Sequence, residues 1–299
     1  MNHASIEVLD PNGTHSRTRA AGAGRSIGAI LIDGGRLTAE NAERILRLQK
    51  DEGLRFGEAA IRLGLLTEED IRMALSHQFD YPYLPADDTS LSKELVAAYQ
   101  PFSASVESLR ALRSQLMLRW FDSDTNRKAL AVVSAESGEG RSYLAANLAI
   151  VFSQLGERTL LIDADLRRPS QHRLFKLGDG PGLSTLLSER GGLEAIRPIT
   201  SLVGLSVLPS GAIPPNPQEL LGRSAFTGLL KKLSHDFDVI IIDTPAATGY
   251  ADAQTTAVRA GAALLVARRN RSSLSRVNQV RRNLQQFGTT VVGSVLNES

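Results

Sequence analysis

No cysteine occurs in the 299 residues, which excludes disulfides and thiolate metal sites and is consistent with a cytoplasmic protein. No stretch comes near the roughly 18 uninterrupted apolar residues of a bilayer-spanning helix, so no segment is expected to cross a membrane. A formal net charge of +2 is too small to argue for nucleic acid as a partner. Aromatic residues are scarce, and the tyrosines are Tyr81, Tyr83, Tyr99, Tyr143 and Tyr250. Met1 to Gly24 is polar, lacks the apolar core of a signal peptide, and is expected to be a flexible N-terminus. What is present is ample for folding: 42% hydrophobic residues support globular cores, and the length is that of two domains.

Three segments in the second half carry the strongest signal: Ser134-Ala-Glu-Ser-Gly-Glu-Gly-Arg-Ser142, Leu160-Leu-Ile-Asp-Ala-Asp165 and Val239-Ile-Ile-Ile-Asp243. Each follows or forms a short apolar run, largely β-branched. Each therefore puts its polar residues at the carboxyl end of an expected buried parallel strand, where open α/β sheets bind ligands. Gly138 and Gly140 lack a Cβ and let successive backbone N–H groups curl around phosphate oxygens. Ser142 is expected to open a helix, Tyr143 to Gln154, with its hydroxyl on Mg²⁺ and the helix N-terminus lending about half a positive charge. The expected nucleotide contacts are Gly138, Glu139, Gly140, Arg141, Ser142 and Tyr143. The loop departs twice from G-x-x-x-x-G-K-[ST], with Ala135 at the first glycine and Arg141 at the lysine.

Asp243 is expected to orient Mg²⁺ through water, with Ser142 and Asp163 completing the metal's protein ligands. Asp163 or Asp165 would accept the proton of an attacking hydroxyl or water, and Arg141 completes the catalytic set. The plainer alternative is an ordinary strand-to-helix turn with aspartates that merely end strands. The expected fold class is α/β, a P-loop NTPase fold with a mainly parallel sheet flanked by helices, using ATP and Mg²⁺. A small, mostly helical duplicated domain precedes it.

The run Leu160 to Pro169, Gly182-Leu-Ser184 and Pro215-Asn-Pro-Gln-Glu-Leu-Leu221 resemble bacterial tyrosine kinases of exopolysaccharide chain-length control, over roughly Ser105 to Asn297. The resemblance implies a fold similar to septum-site and plasmid-partition ATPases, although those place a lysine where this sequence has Glu136. It also implies an ATP- and Mg²⁺-dependent protein-tyrosine kinase that is a homo-oligomer. Its partner would be a membrane-embedded polysaccharide chain-length determinant protein, which would hold this cytoplasmic chain at the inner membrane. Glu107, Arg110 and Arg113 match residues that pack such kinases into a ring; spacing alone reads as a solvated, salt-bridged helix face. Asn297, after an expected strand Thr290 to Leu296, takes the place of an adenine-contacting asparagine. Arg167 and Arg168 would hold phosphate or a partner's acidic face, or be solvated. Arg268, Arg269, Arg271, Arg276, Arg281 and Arg282 read as a solvated helix face, with an acidic tail or anionic lipid as the functional alternative.

Two departures bear on activity. Arg141 substitutes a planar fork for a compact ammonium, and misplacing one charged hydrogen bond of roughly 1.5–3 kcal/mol slows a reaction about tenfold to a hundredfold. The family usually carries a cluster of tyrosines at its carboxyl end, whereas this sequence reads Val295-Leu-Asn-Glu-Ser299. The acceptor is therefore expected to be another tyrosine, another protein, or water. The alternative from a different class is a nucleotide-gated assembly protein of the same export system with little or no kinase activity. A partition-type ATPase is a third reading, opposed by Glu136 and by the lack of a carboxyl-terminal membrane helix.

The first third is duplicated: Gly28, Leu37, Thr38, Glu40, Leu46 and Gln49 recur as Gly57, Leu66, Thr67, Glu69, Leu75 and Gln78 at a constant offset of 29 residues. Thr67-Glu-Glu-Asp70 fits a helix-capping pattern, and Thr38 with Asn41 fits it partly. The pair resembles the N-terminal domain of type II secretion and pilus assembly ATPases. That resemblance implies a cyclic di-GMP site with Arg25, Gly28, Gln49, Arg55, Gly57 and Gln78; the alternative is a paired-helix adaptor. The expected domains are 25–86 for this module, 87–104 for a linker with a short helix from about Leu91 to Tyr99, and 105–299 for the kinase domain.

Overall fold

The structure, a computed structural model, describes residues 26–78, 83–85, 87–124 and 126–298 and divides into two units, Met1–Tyr81 and Pro82–Ser299. The stretch 1–24, Arg25 and Tyr81 lie outside the described residues. In the first unit the sequence repeat is a structural repeat. Helices α1 (Ile27–Asp33) and α2 (Ala39–Glu52) recur as α3 (Phe56–Arg62) and α4 (Glu68–Gln78) at the same offset. Gly35 and Gly64 both take positive φ, +68° and +64°, to stop the first helix of each copy. Each second helix is then capped by threonine: Thr38 accepts from the Asn41 N–H at 3.3 Å and Thr67 from the Asp70 N–H at 3.2 Å. Leu31, Ile45, Ala59, Ala60, Leu66 and Ala74 form the core.

In the second unit, α5 (Val96–Tyr99) and α6 (Ala104–Leu116) precede β1 (Ala129–Ser134), α7 (Arg141–Ser153), β2 (Thr159–Asp163), α8 (Gln171–Leu174) and α9 (Leu183–Leu187). Then come β3 (Arg197–Pro198), β4 (Leu205–Leu208), α10 (Pro217–Gly222), α11 (Ser224–Asp236), β5 (Val239–Asp243), α12 (Asp252–Ala260), β6 (Ala262–Arg268), α13 (Leu274–Gln286) and β7 (Thr290–Asn297). The strands form one sheet in the order β3-β4-β2-β5-β1-β6-β7, parallel except for β3. Because strand side chains alternate, Leu130, Val132 and Ile241 pack on one face while Ala131, Val133, Ile240 and Ile242 pack on the other. Apolar layers on both faces explain why the central strands read as unbroken hydrophobic runs.

The expected linker is not a linker. Residues 87–104 belong to the second unit, which begins at Pro82 rather than at 105, and the expected helix is reduced to α5. The reason is burial: Leu91, Leu95, Ala97 and Ala98 join the core that covers one sheet face. Asn147, buried in α7, holds the segment by accepting from the Ala97 N–H at 2.9 Å and donating to the Glu94 carbonyl at 3.1 Å. It also donates to the Tyr143 carbonyl at 3.0 Å. Asn147→Ala leaves buried backbone groups unpaired and should cost roughly 2–3 kcal/mol, lowering the unfolding midpoint by roughly 4–12 °C. An unchanged midpoint in a thermal melt would mean that the apolar contacts alone carry the segment.

Candidate active site

The loop after β1 turns on Gly138 and Gly140, with φ of +79° and +88°. A Cβ on Gly140 would meet the side-chain amide of Asn297, and the left-handed φ independently disfavours one there. Gly140 caps α7, which begins at Arg141, two residues before the expected Tyr143. The N–H groups of its first turn therefore lie at the loop, without helical partners.

Glu139, expected at the nucleotide, braces the loop with its side chain. Its carboxylate is buried, accepting from the Glu136 N–H at 2.7 Å and from the Ser272 hydroxyl. Asn297 ends β7 and donates to the Glu139 carbonyl at 3.3 Å. The basic stretch is only partly a solvated face, since Arg268 donates to the Gly138 carbonyl at 3.1 Å and Arg276 pairs with Glu136.

Asp163 and Asp243 end adjacent strands in direct register, and both are fully buried. Asp163 Oδ2 accepts from the Ser170 and Gln171 N–H groups, both at 3.0 Å, and Oδ1 from the Asp165 N–H at 3.2 Å. Burial first, and the Asp243 charge second, push the Asp163 carboxyl up to about 8. Burial also raises Asp243, against the pull of Arg141, Gln171 and Ser142. Since the folded Asp163 binds its proton more tightly than the unfolded value of 3.8, this contribution to stability is full below about pH 4 and is lost as pH rises through about 8. Without ligand, the unfolding midpoint should fall progressively between about pH 4 and about pH 8. A melt of Asp163→Asn should show a smaller fall, and an equal fall would assign it to other groups.

Arg141 differs most from expectation. Its side chain is buried and folds under the loop, donating to the Thr244 carbonyl and the Ser134 hydroxyl. Its guanidinium lies 3.6 Å from Asp165 and 3.8 Å from Asp243, so it compensates the acidic cluster. Asp165, in contrast to Asp163 and Asp243, borders a cavity of about 690 Å³ with Gly138, Gly140, Ser142, Tyr143 and Arg167. A carboxylate at the rim can meet a substrate hydroxyl; sealed ones cannot. Gln171 escaped the sequence reading, although its amide donates to Asp243 at 2.8 Å and to the Ser142 carbonyl at 3.1 Å. No local pattern marks it, because both partners are distant in the chain.

The donor set suits magnesium, being all oxygen, and Asp243 Oδ1 is buried with no hydrogen-bond partner. Among the described residues no group of three or more His, Cys, Asp or Glu side chains is arranged around a metal. An ion here would take the rest of its shell from water and phosphate oxygens.

Comparison with known proteins agrees with this geometry. Residues 125–299 match the ParA family described as NUBPL iron-transfer P-loop NTPase. The tyrosine-protein kinase YwqD of Bacillus subtilis is 33% identical over 207 residues, which are 69% of this chain and 86% of that protein. The chain belongs to the bacterial tyrosine-protein kinases. That makes it an enzyme of the class that transfers phosphate from ATP to tyrosine. The solved kinase domain of Escherichia coli ETK superposes with a TM-score of 0.66 at 31% identity, over 73% of this chain and 85% of that domain. The full-length Etk of strain K12 is 33% identical over 202 residues, 68% of this chain but 28% of that protein. The cell division ATPase MinD of Pyrococcus furiosus matches with a TM-score of 0.51 at 27% identity, over 57% of this chain and 71% of that one. It supports the expected relation to septum-site ATPases at the level of fold.

Within this tyrosine kinase, the three residues expected at a ring contact lie on α6. Glu107 pairs with Arg110, and Arg113 turns inward to donate to the Val151 carbonyl at 2.8 Å. Arg113 is thus engaged within its own chain, because α6 packs along α7. In the duplicated unit, a Cβ on Gly28 would meet the Phe56 ring at 3.3 Å and one on Gly57 would meet Ile71 at 3.1 Å. Both glycines serve helix packing. Arg55 is exposed at the start of α3, Gln49 is half-buried on α2, and Gln78 ends α4.

Proposed function

We propose that this chain transfers the γ-phosphate of magnesium-bound ATP to tyrosine in an exopolysaccharide or capsule export system. A membrane-embedded chain-length determinant protein anchors it at the inner membrane, and copies of the chain assemble through the Glu107–Arg113 face. The carrying observation is the register of Asp163 and Asp243 beneath the Gly138–Ser142 loop, with Asp165 on the cavity rim. Loop amides from Gly138 to Tyr143 cradle the phosphates, and Asn297 contacts the adenine. Ser142, Asp163 and, through water, Asp243 would hold Mg²⁺, which when bound neutralises charge on the phosphates. Arg141 opposes the effect of burial on Asp243, lies within ion-pair distance of Asp165 and adds positive charge below the loop. Asp165 then takes the acceptor hydroxyl's proton.

For the duplicated unit, the packing of Gly28 and Gly57 favours a helical adaptor over a cyclic di-GMP site. Uptake of labelled cyclic di-GMP by the full chain at tens of micromolar or below would reverse that preference.

The kinase reading is tested by incubating the purified chain with γ-labelled ATP, Mg²⁺ and a Glu–Tyr copolymer. Phosphotyrosine detected by mass spectrometry is expected. An ATP-dependent size change by light scattering with no phosphotyrosine would instead establish a nucleotide-gated assembly protein.

A further inference from the structure

Among the described tyrosines, Tyr83 and Tyr99 are each only 9% exposed, and the Tyr99 hydroxyl is bound to Leu91 and Asp88. Tyr143 lies half-buried in the first turn of α7. Tyr250 is different: it is 51% exposed and borders the same cavity as Gly140, Ser142 and Asp165. It stands on the loop after β5, preceded by Gly249 at φ +99°, a left-handed turn that only glycine enters at little cost. The Arg167 guanidinium lies 3.6 Å from the centre of its ring. Arg167 is itself fixed by a forked pair with the buried Asp252, at 2.6 and 3.2 Å. A rigid cationic platform thus holds the ring while much of the residue stays in solvent at the cavity.

We infer that Tyr250 is an acceptor of the γ-phosphate within its own chain, a modification site built into the nucleotide cavity. The inference rests on the kinase reading. The Tyr250 Oη bonds to the γ-phosphorus as the bond from that phosphorus to the β–γ bridging oxygen breaks. ADP leaves with the electron pair, and the phenolic proton passes to Asp165 on the same cavity and then to solvent. The product carries about −1.5 to −2 charges beside Arg167 and Arg168, which line that cavity and are suited to a phosphate dianion.

The experiment maps phosphotyrosine in the full chain after incubation with ATP and Mg²⁺, at several protein concentrations, with an added Glu–Tyr copolymer as a second acceptor. The expected result is a dominant phosphopeptide containing Tyr250, formed at a rate per molecule independent of protein concentration. Tyr250→Phe, which keeps a ring on Arg167, should lose at least about tenfold of the self-incorporated label. Label on another tyrosine, Tyr81 included, a rate that rises with protein concentration, or undiminished labelling of Tyr250→Phe overturns the inference. A chain that phosphorylates the copolymer but not itself overturns it while leaving the kinase reading intact; transfer to neither removes both.

Discussion

Asp165→Asn should reduce phosphotransfer from ATP about 10²- to 10⁴-fold, the range associated with a positioned proton acceptor, while uptake of a non-hydrolysable ATP analogue is retained. The separation of the two effects follows from how the carboxylate is used. Its Oδ1 accepts from the Arg167 and Arg168 N–H groups at 3.2 and 2.9 Å, and an asparagine oxygen can keep both bonds. Its Oδ2 faces Arg141 at 3.6 Å, and that oxygen is the one lost. The loop should therefore hold its shape without its base. Single-turnover transfer to a tyrosine copolymer and calorimetric titration with the analogue read the two effects independently. Full activity would remove Asp165 from proton transfer, and loss of analogue binding would make its role structural.

Arg141→Met is expected to have the largest effect on stability. The residue is 7% exposed, and its guanidinium lies within 4 Å of two carboxylates and donates to Ser134 and Thr244. Removing one partner from a buried ionic group leaves charge uncompensated, at a cost of about 3–5 kcal/mol. The cost should be larger at about pH 8 than at about pH 6. Asp243 already binds its proton more tightly than usual because it is buried, and losing the arginine strengthens that tendency, so acid progressively removes the stranded charge. Urea titrations of the variant and the parent at both values decide the matter. An equal cost at each would assign the loss to the hydrogen bonds with Ser134 and Thr244 instead. Nucleotide uptake should weaken in the same variant, since the acidic cluster then faces the phosphates without its counter-charge.

Different parts of the chain were legible for different reasons. The 29-residue repeat was readable because helix caps and glycine stops act within four residues, and Thr38–Asn41, Thr67–Asp70, Gly35 and Gly64 all behave in the structure as local chemistry implies. The misread stretch 87–104 contains Pro101, a breaker of helical continuity, and that local signal says nothing about docking on a helix. Asn147 in α7 decides its position, and it lies 50 residues from Ala97 in the chain. The carboxylate of Glu139 was illegible for the same reason, because it serves a loop closed by Ser272, 133 residues later.

Sequence alone determined that glycines 138 and 140, Ser142 and three aspartates would stand at the carboxyl ends of buried parallel strands, because apolar run length and glycine placement are local quantities. Tertiary structure alone decided which aspartate meets the cavity, that Asp163 and Asp243 share one buried register, that Arg141 turns beneath the loop, and that Tyr250 rests on Arg167. Those relations depend on strand order and side-chain direction. Order in a parallel sheet is set by how its crossover helices pack, and no single segment encodes it.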